Sequence, residues 1–290
     1  MVTAIPQDYR NRPVAVVGAG TLGRRIALMF ATRGGQVNIT DPNAEQGEQG
    51  VVYAMGELPA VAARVDGGTA GTVGYVRDQA EAVQDAWLVV EAVPEKLELK
   101  KQIFAQLEQD CPADAIISSN SSSYASRLFT EDLRTNDRML NTHFYMPPAA
   151  ITLDVMSDGH TAPEVIDFVL RTFPEYGLRP FHCRKESTGF IFNRIWAALK
   201  RESLEVVYAG VSVPEDVDAM FSMNFGTKAG PFRMMDQVGL DVVLDIEEHY
   251  AQENPQLPEG PRILLREYIA DGKLGVKSGA GFYDDYPKPS

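Results

Sequence analysis

The sequence is defined first by what it withholds. No run of about 18 consecutive apolar residues occurs in it, so no membrane-spanning helix is expected. Only two cysteines are present, Cys111 and Cys183; they are too few for a disulfide framework, lack metal-ligand spacing, and leave no metal centre to expect. Positive charge is scarce: 27 Lys and Arg face 40 Asp and Glu, for a net charge of −13. That balance argues against a nucleic acid or an anionic membrane surface as partner. Lysine is missing altogether before Lys96, and Arg64 and Arg77 are the only cations between Asp41 and Glu91. The opening MVTAIPQDYRNRP has neither an apolar core nor an Arg-rich amphipathic pattern, and the closing PKPS is not a peroxisomal address. A reducing cytoplasm is the expected compartment. What remains is an ordinary globular composition, 44% hydrophobic and 23% charged, long enough for two domains.

The stretch from Pro13 to Asp41 carries the strongest positive signal. Val14–Val17 is a short, branched apolar run suited to a buried parallel strand. Gly18-Ala19-Gly20-Thr21-Leu22-Gly23 follows at once, then a helical pattern through Ala31, a Gly34-Gly35 stop, and a second strand that ends at Asp41. This is a βαβ unit with a dinucleotide fingerprint. Gly18 turns the chain sharply, Gly20 lets a diphosphate approach the backbone, and Gly23 lets helix and strand pack closely. Thr21 and Leu22 open the helix, whose free N–H groups and positive dipole end face the anion. Asp41 suits a ribose with two free hydroxyls and repels a 2′-phosphate. The cofactor expected is therefore NAD rather than NADP.

Strands and helices alternate after this unit. Residues 44–64 read as a helix weakened by Gly47, Gly50, Gly56 and Pro59. Residues 70–76 and 79–83 read as a short strand and a helical turn. Trp87–Glu91 is a buried strand, Leu97–Leu107 a helix, and Ala115–Ile117 a strand running into Ser118–Ser123. Met139–Phe144 and Ile151–Met156 flank a Pro147-Pro148 turn, and a helix from Pro163 to Phe173 and a strand near Phe181 close the first half. Beyond Gly189 only helices are expected, over an opening face at Ile191–Val206 and then over 214–224, 231–252 and 260–272. The pattern predicts a doubly wound α/β Rossmann domain, residues 1–186, followed by an all-α domain, residues 187–290.

Ligands of such sheets bind beyond the carboxyl ends of the strands. Glu91 with Glu95, the Ser119–Ser123 cluster, His143 and Asp154 fall there, and Asn193 opens the second domain. A histidine, a carboxylate, a hydroxyl and an amide beside a nicotinamide suit alcohol–ketone interconversion. The imidazole takes the hydroxyl proton, the carboxylate fixes its tautomer, and Ser and Asn donate to the substrate oxygen.

On these residues the chain resembles the L-3-hydroxyacyl-CoA dehydrogenases over nearly its whole length. The motifs are Gly18–Gly23, Asp41, Val90-Glu91-Ala92-Val93-Pro94-Glu95 with Lys100, Ser119–Ser123 and His143-Phe144-Tyr145-Met146-Pro147. Gly189–Arg194, Gly230-Pro231-Phe232 and Lys277–Tyr283 continue them. The resemblance implies His143 as general acid/base, Asp154 as its partner, and Ser122 and Asn193 as substrate-contacting groups. Asp41, Glu95, Lys100, Ser122 and Lys277 match positions that contact NAD, and a homodimer built on the helical domain is expected. The substrate expected is a small 3-hydroxyacyl or 3-ketoacyl compound.

The departures bear on that substrate. The family's partner carboxylate is a glutamate twelve residues after the histidine, whereas Asp154 comes eleven after His143, as if one residue were deleted in the 147–150 turn. Met146 replaces an asparagine, and Thr152 stands near a usual lysine. The segment after Asp41 is shortened and lysine-free where the family grips CoA phosphates. The last difference tilts the reading towards a free or otherwise tethered hydroxy acid, as in the related gulonate and carnitine dehydrogenases, and Glu186 before Ser187-Thr188-Gly189-Phe190 leans the same way. Two alternatives stay open: a catalytically weak NAD-binding protein of crystallin type, and an imine or β-hydroxyacid reductase. The second ordinarily uses a lysine on the long helix, where this chain has Asn193 and, two turns on, Lys200.

Overall fold

A computed structural model of the 290-residue chain describes residues 5–287; the outermost residues of the two ends read above lie outside them. Backbone contacts divide the chain into two units, Met1–Phe190 and Ile191–Ser290. Residues 187–190, counted with the second domain in the sequence, belong to the first unit.

The first unit is built on one eight-stranded sheet in the order β3-β2-β1-β4-β5-β6-β7-β8. Its strands are β1 (Val14–Val17), β2 (Gln36–Thr40), β3 (Thr72–Tyr75), β4 (Leu88–Glu91), β5 (Ile116–Ser119), β6 (Met139–Met146), β7 (Ala150–Ser157) and β8 (Arg179–Cys183). The first six run parallel, and β7 turns back antiparallel on β6 with β8 following it. Alternating side chains of the central strands serve two cores. Val14 and Val16 pack with α1 (Thr21–Phe30), α2 (Ala44–Ala62) and α6 (Pro163–Thr172). Ala15 and Val17 pack with α3 (Gln79–Val83), α4 (Leu97–Asp110) and α5 (Arg127–Thr130) on the other face. Burial on both faces explains why β1 and β4 read as unbroken apolar runs.

The α2 glycines do not break the helix because two of them serve packing. A Cβ on Gly47 would lie 2.3 Å from the Tyr75 ring, and one on Gly50 would lie 3.4 Å from Ala19 Cβ. Helix α2 is one continuous element of 19 residues.

The second unit holds α7 (Phe192–Tyr208), α8 (Pro214–Phe225), α9 (Pro231–Val238), α10 (Leu240–Glu253) and α11 (Gly260–Ala270) around Leu204, Phe232, Met235, Leu240 and Leu265. The single helix expected over 231–252 is two. Gly239, at φ +104°, turns the chain between α9 and α10, a conformation that side-chain-bearing residues rarely adopt. No described helix is long and apolar enough to cross a membrane.

Candidate active site

The strand order reverses direction of growth between β1 and β4, and their carboxyl ends frame the first part of the site. Gly18 leaves β1 at φ +105°, and a Cβ there would strike Ala92 O at 2.6 Å. A Cβ on Gly23 would lie 1.8 Å from Gly18 O, so α1 can seat this close to the loop only with glycine. At Gly20 an added Cβ meets nothing within 4 Å, which leaves the loop face open to a ligand. The first α1 hydrogen bond, Arg24 N–H to Gly20 O at 3.1 Å, leaves the N–H groups of Thr21, Leu22 and Gly23 without intrahelical partners. The cradle fits a diphosphate.

Asp41 braces that loop. Its carboxylate accepts from the N–H groups of Ala19 (2.8 Å) and Asn43 (2.9 Å) and from the Gln46 side chain (2.9 Å). A carboxylate offers about four lone-pair directions, so two ribose hydroxyls require the Gln46 amide to move aside. The sequence shows the acid but not this competitor.

A closed ionic cluster occupies the end of β4. Glu91, fully buried, accepts from Lys100 Nζ (2.8 and 3.0 Å), Ser119 Oγ (2.6 Å) and Val93 N–H (2.8 Å). Lys100, 1% exposed, also reaches Glu95 at 3.2 Å, so its ammonium turns inward onto two carboxylates instead of into solvent. Glu95 further accepts from the Ser121 hydroxyl and the Ser123 N–H. Burial works to raise its pKa, but the Lys100 charge and those two hydrogen bonds outweigh it and hold the carboxyl below the ordinary glutamate range. The cluster thereby fixes the 119–123 loop. Asn120 adds a second tie by accepting the Phe144 N–H at 2.8 Å, and Ser122 is left exposed at the tip.

His143 lies on β6, directly across from Asp154 on β7. Both are buried, at 6% and 3% exposure. The separation of eleven residues is therefore compatible with facing positions, with the irregularity taken up as a register shift between Phe144 and Met146. The pair is close but not hydrogen-bonded: Nδ1 stands 3.7 Å from Asp154 Oδ2 and has no hydrogen-bond partner. The same oxygen accepts from the Tyr145 hydroxyl at 2.6 Å. The sequence pattern assigns Tyr145 no role of its own; its spacing of two from His143 along a strand, the spacing of one sheet face, is the available signal.

The imidazole stacks on Phe190, with ring centroids 4.8 Å apart and planes 3° from parallel. Phe190 is the one described non-glycine residue with positive φ, +54°. Such backbone strain persists where surroundings over-determine it, often at functional sites. Phe190 also walls a groove shared by Ser122, Tyr124, Met156, Glu186 and Gly189. The groove therefore runs from the exposed serine to the ring that orients the histidine. Nothing in the sequence announces this use of Phe190, because residue type does not encode a left-handed turn at a phenylalanine.

Asn193 lies in the first turn of α7, in the second unit, partly buried. Lys277, in the same unit, is ion-paired with Asp241. No group of three or more potential metal ligands occurs among the described residues.

Comparison with known proteins gives a consistent pattern. Residues 13–187 match the family model described as 3-hydroxyacyl-CoA dehydrogenase, NAD binding domain, and residues 189–285 match the C-terminal domain of the same family. A probable 3-hydroxyacyl-CoA dehydrogenase of Caenorhabditis elegans is 30% identical over 96% of both chains. Among solved structures, a diketoreductase acting on dicarbonyl compounds superposes with a TM-score of 0.79 at 31% identity, covering 98% of this chain and 99% of that one. An (S)-3-hydroxybutyryl-CoA dehydrogenase from Ralstonia eutropha gives a TM-score of 0.84 at 27% identity, covering 96% of this chain and all of that one.

Proposed function

The chain belongs to the 3-hydroxyacyl-CoA dehydrogenase family and is an NAD-dependent oxidoreductase, and from that premise we propose that it interconverts a 3-hydroxyacyl compound and its 3-keto form with His143 as general acid/base. The observation that carries the reading is the His143–Asp154 pair, buried and facing across β6 and β7, beside the groove with Ser122. NAD, held by the Gly18–Gly23 loop and Asp41, supplies the hydride acceptor when bound. In the oxidative direction neutral His143 takes the hydroxyl proton, and the positive imidazole that results faces Asp154, whose carboxylate stabilises it. Ser122 is the proposed donor to the substrate oxygen, and Asn193 is the second donor that the family resemblance implies. Glu95, Lys100 and Lys277 belong to the cofactor side of the reading, Lys100 by fixing Glu95.

The preferred substrate is a free or otherwise tethered hydroxy acid rather than a CoA thioester, on the lysine-free α2. A panel with NAD and NADH tests both parts. Free 3-hydroxy and 3-keto acids are expected to outperform acetoacetyl-CoA, and the reverse ranking removes the preference. His143→Gln is expected to lower turnover about 10^3-fold with NADH affinity retained; unchanged turnover removes the base assignment.

A homodimer is the proposed assembly. In the second unit Met220, Met223 and Phe225 of α8, with Val211 and Val213 just before it, are exposed, apolar residues of the kind a subunit interface covers. A monomer mass in light scattering contradicts it. The cytoplasm is the proposed compartment, in keeping with a sequence that holds only two cysteines.

A further inference from the structure

Arg24 and Arg25, one turn into α1, form a cationic pair that no carboxylate among the described residues neutralises. Arg24 CZ lies 4.6 Å and Arg25 CZ 5.3 Å from the centre of one ring, that of Tyr53 on α2. Neither has an ion-pair partner among the described residues, although acids outnumber bases 40 to 27 in the chain. The Nε atoms of both are buried without a hydrogen-bond partner. Arg25 donates from Nη1 to Pro147 O at 3.0 Å. Two guanidinium groups gathered at one aromatic ring repel each other, and their fork geometry matches carboxylate or phosphate. Unsatisfied buried donors in a native fold call for an explanation, a bound anion among them.

We propose that Arg24 and Arg25, backed by Tyr53, bind an anionic group of the substrate, a carboxylate or phosphate remote from the reacting hydroxyl. The position favours substrate over cofactor. The diphosphate already has the Gly18–Gly23 cradle and the first α1 N–H groups. Arg25 instead reaches the turn that follows His143 by four residues, at the end of β6, while the cofactor's ribose acid, Asp41, lies at the end of β2. The pair also supplies cations in a region whose α2 has no lysine and no arginine. The inference builds on the proposed reaction, since it places substrate near β6, but its test does not depend on turnover.

The test is isothermal titration of the full-length, NADH-saturated protein with glutarate and, separately, with coenzyme A. Binding of at least one probe is expected, weakened tenfold or more in the double variant Arg24→Gln with Arg25→Gln and largely restored in Arg24→Lys with Arg25→Lys. The tighter probe identifies the anion as carboxylate or phosphate. NADH affinity of the Gln variant, read by fluorescence, is expected to stay within twofold. A tenfold loss of NADH affinity would assign the pair to the cofactor diphosphate and overturn the proposal. So would probe affinities unaffected by the Gln substitutions, or no binding of either probe. If the Gln variant fails to fold, single Arg24→Gln and Arg25→Gln proteins carry the same titrations. A protein that binds the probe through these arginines yet turns over no hydroxyacyl compound keeps the subsite and loses the reaction.

Discussion

Two buried acid–base clusters stand along the carboxyl edge of one sheet, and they are finished to different degrees. Around Glu91 every strong donor has an acceptor: Lys100, Ser119 and the Val93 N–H converge on one carboxylate, and Lys100 also holds Glu95. Around Asp154 the account stays open, with Tyr145 satisfied at 2.6 Å and His143 Nδ1 waiting at 3.7 Å from the same oxygen. A closed ionic cluster holds a shape, because removing any member strands a charge. An open one can gain a bond when a proton arrives. The first is a scaffold for the 119–123 loop, and the second has the open geometry that the proposed proton transfer would use.

Breaking the closed cluster is expected to have the largest effect. Lys100→Met leaves Glu91 buried without its cation and should cost about 3–5 kcal/mol of stability, read from urea unfolding. A loss below about 1 kcal/mol would mean that the cluster opens to solvent and is not the scaffold described. Opening or closing the other cluster should act on rate. Asp154→Asn is expected to lower kcat about 100-fold with the unfolding midpoint little changed. Asp154→Glu, one methylene longer, brings a carboxylate within hydrogen-bond reach of Nδ1 and should keep or raise kcat. Equal losses in both variants would show that Asp154 serves Tyr145 and not His143.

The same contrast explains what was legible in the sequence. The dinucleotide loop could be read residue by residue because its requirements are local: Gly18 needs a positive φ, and Gly23 needs room against a neighbour five residues away. The inward turn of Lys100 was not legible, since a helix lysine is exposed by default and only the sheet brings Glu91 and Glu95 to it. The facing of His143 and Asp154 came from family likeness, and the strand register that achieves it, with its shift near Phe144, depends on hairpin geometry. Phe190 and the Arg24–Arg25–Tyr53 cluster were invisible for the same reason: backbone conformation and helix–helix contact are tertiary facts. The run 231–252 misled because helix periodicity continues through Gly239, and only its φ shows the turn.

Lys200, on α7 in the second unit, sharpens the comparison as an intermediate case. It is 2% exposed, and the neighbouring buried carboxylate, Glu247, is already held by Arg201 at 2.8 Å. Burial pulls its pKa down from 10.5 to about 8, with Glu247 opposing and Arg201 assisting. Between these values the unfolded chain keeps a proton that the folded chain has released, so this residue's contribution to stability rises with pH across that window. Below pH 8 both states are protonated and the full burial cost applies, roughly 3 kcal/mol. Lys200→Met should therefore stabilise the protein at pH 7 by about 1–3 kcal/mol, with an advantage over the parent chain that shrinks as pH climbs from 8 to 10. Paired urea titrations at pH 7, 8, 9 and 10 measure this difference directly. Burial also raises tyrosine hydroxyls such as those of Tyr250 and Tyr268, and taking the difference between the two chains, which share them, removes them from the comparison. An advantage that stays level across the series would mean that Lys200 keeps its proton in the folded state, and that Glu247 serves it as fully as Glu91 serves Lys100.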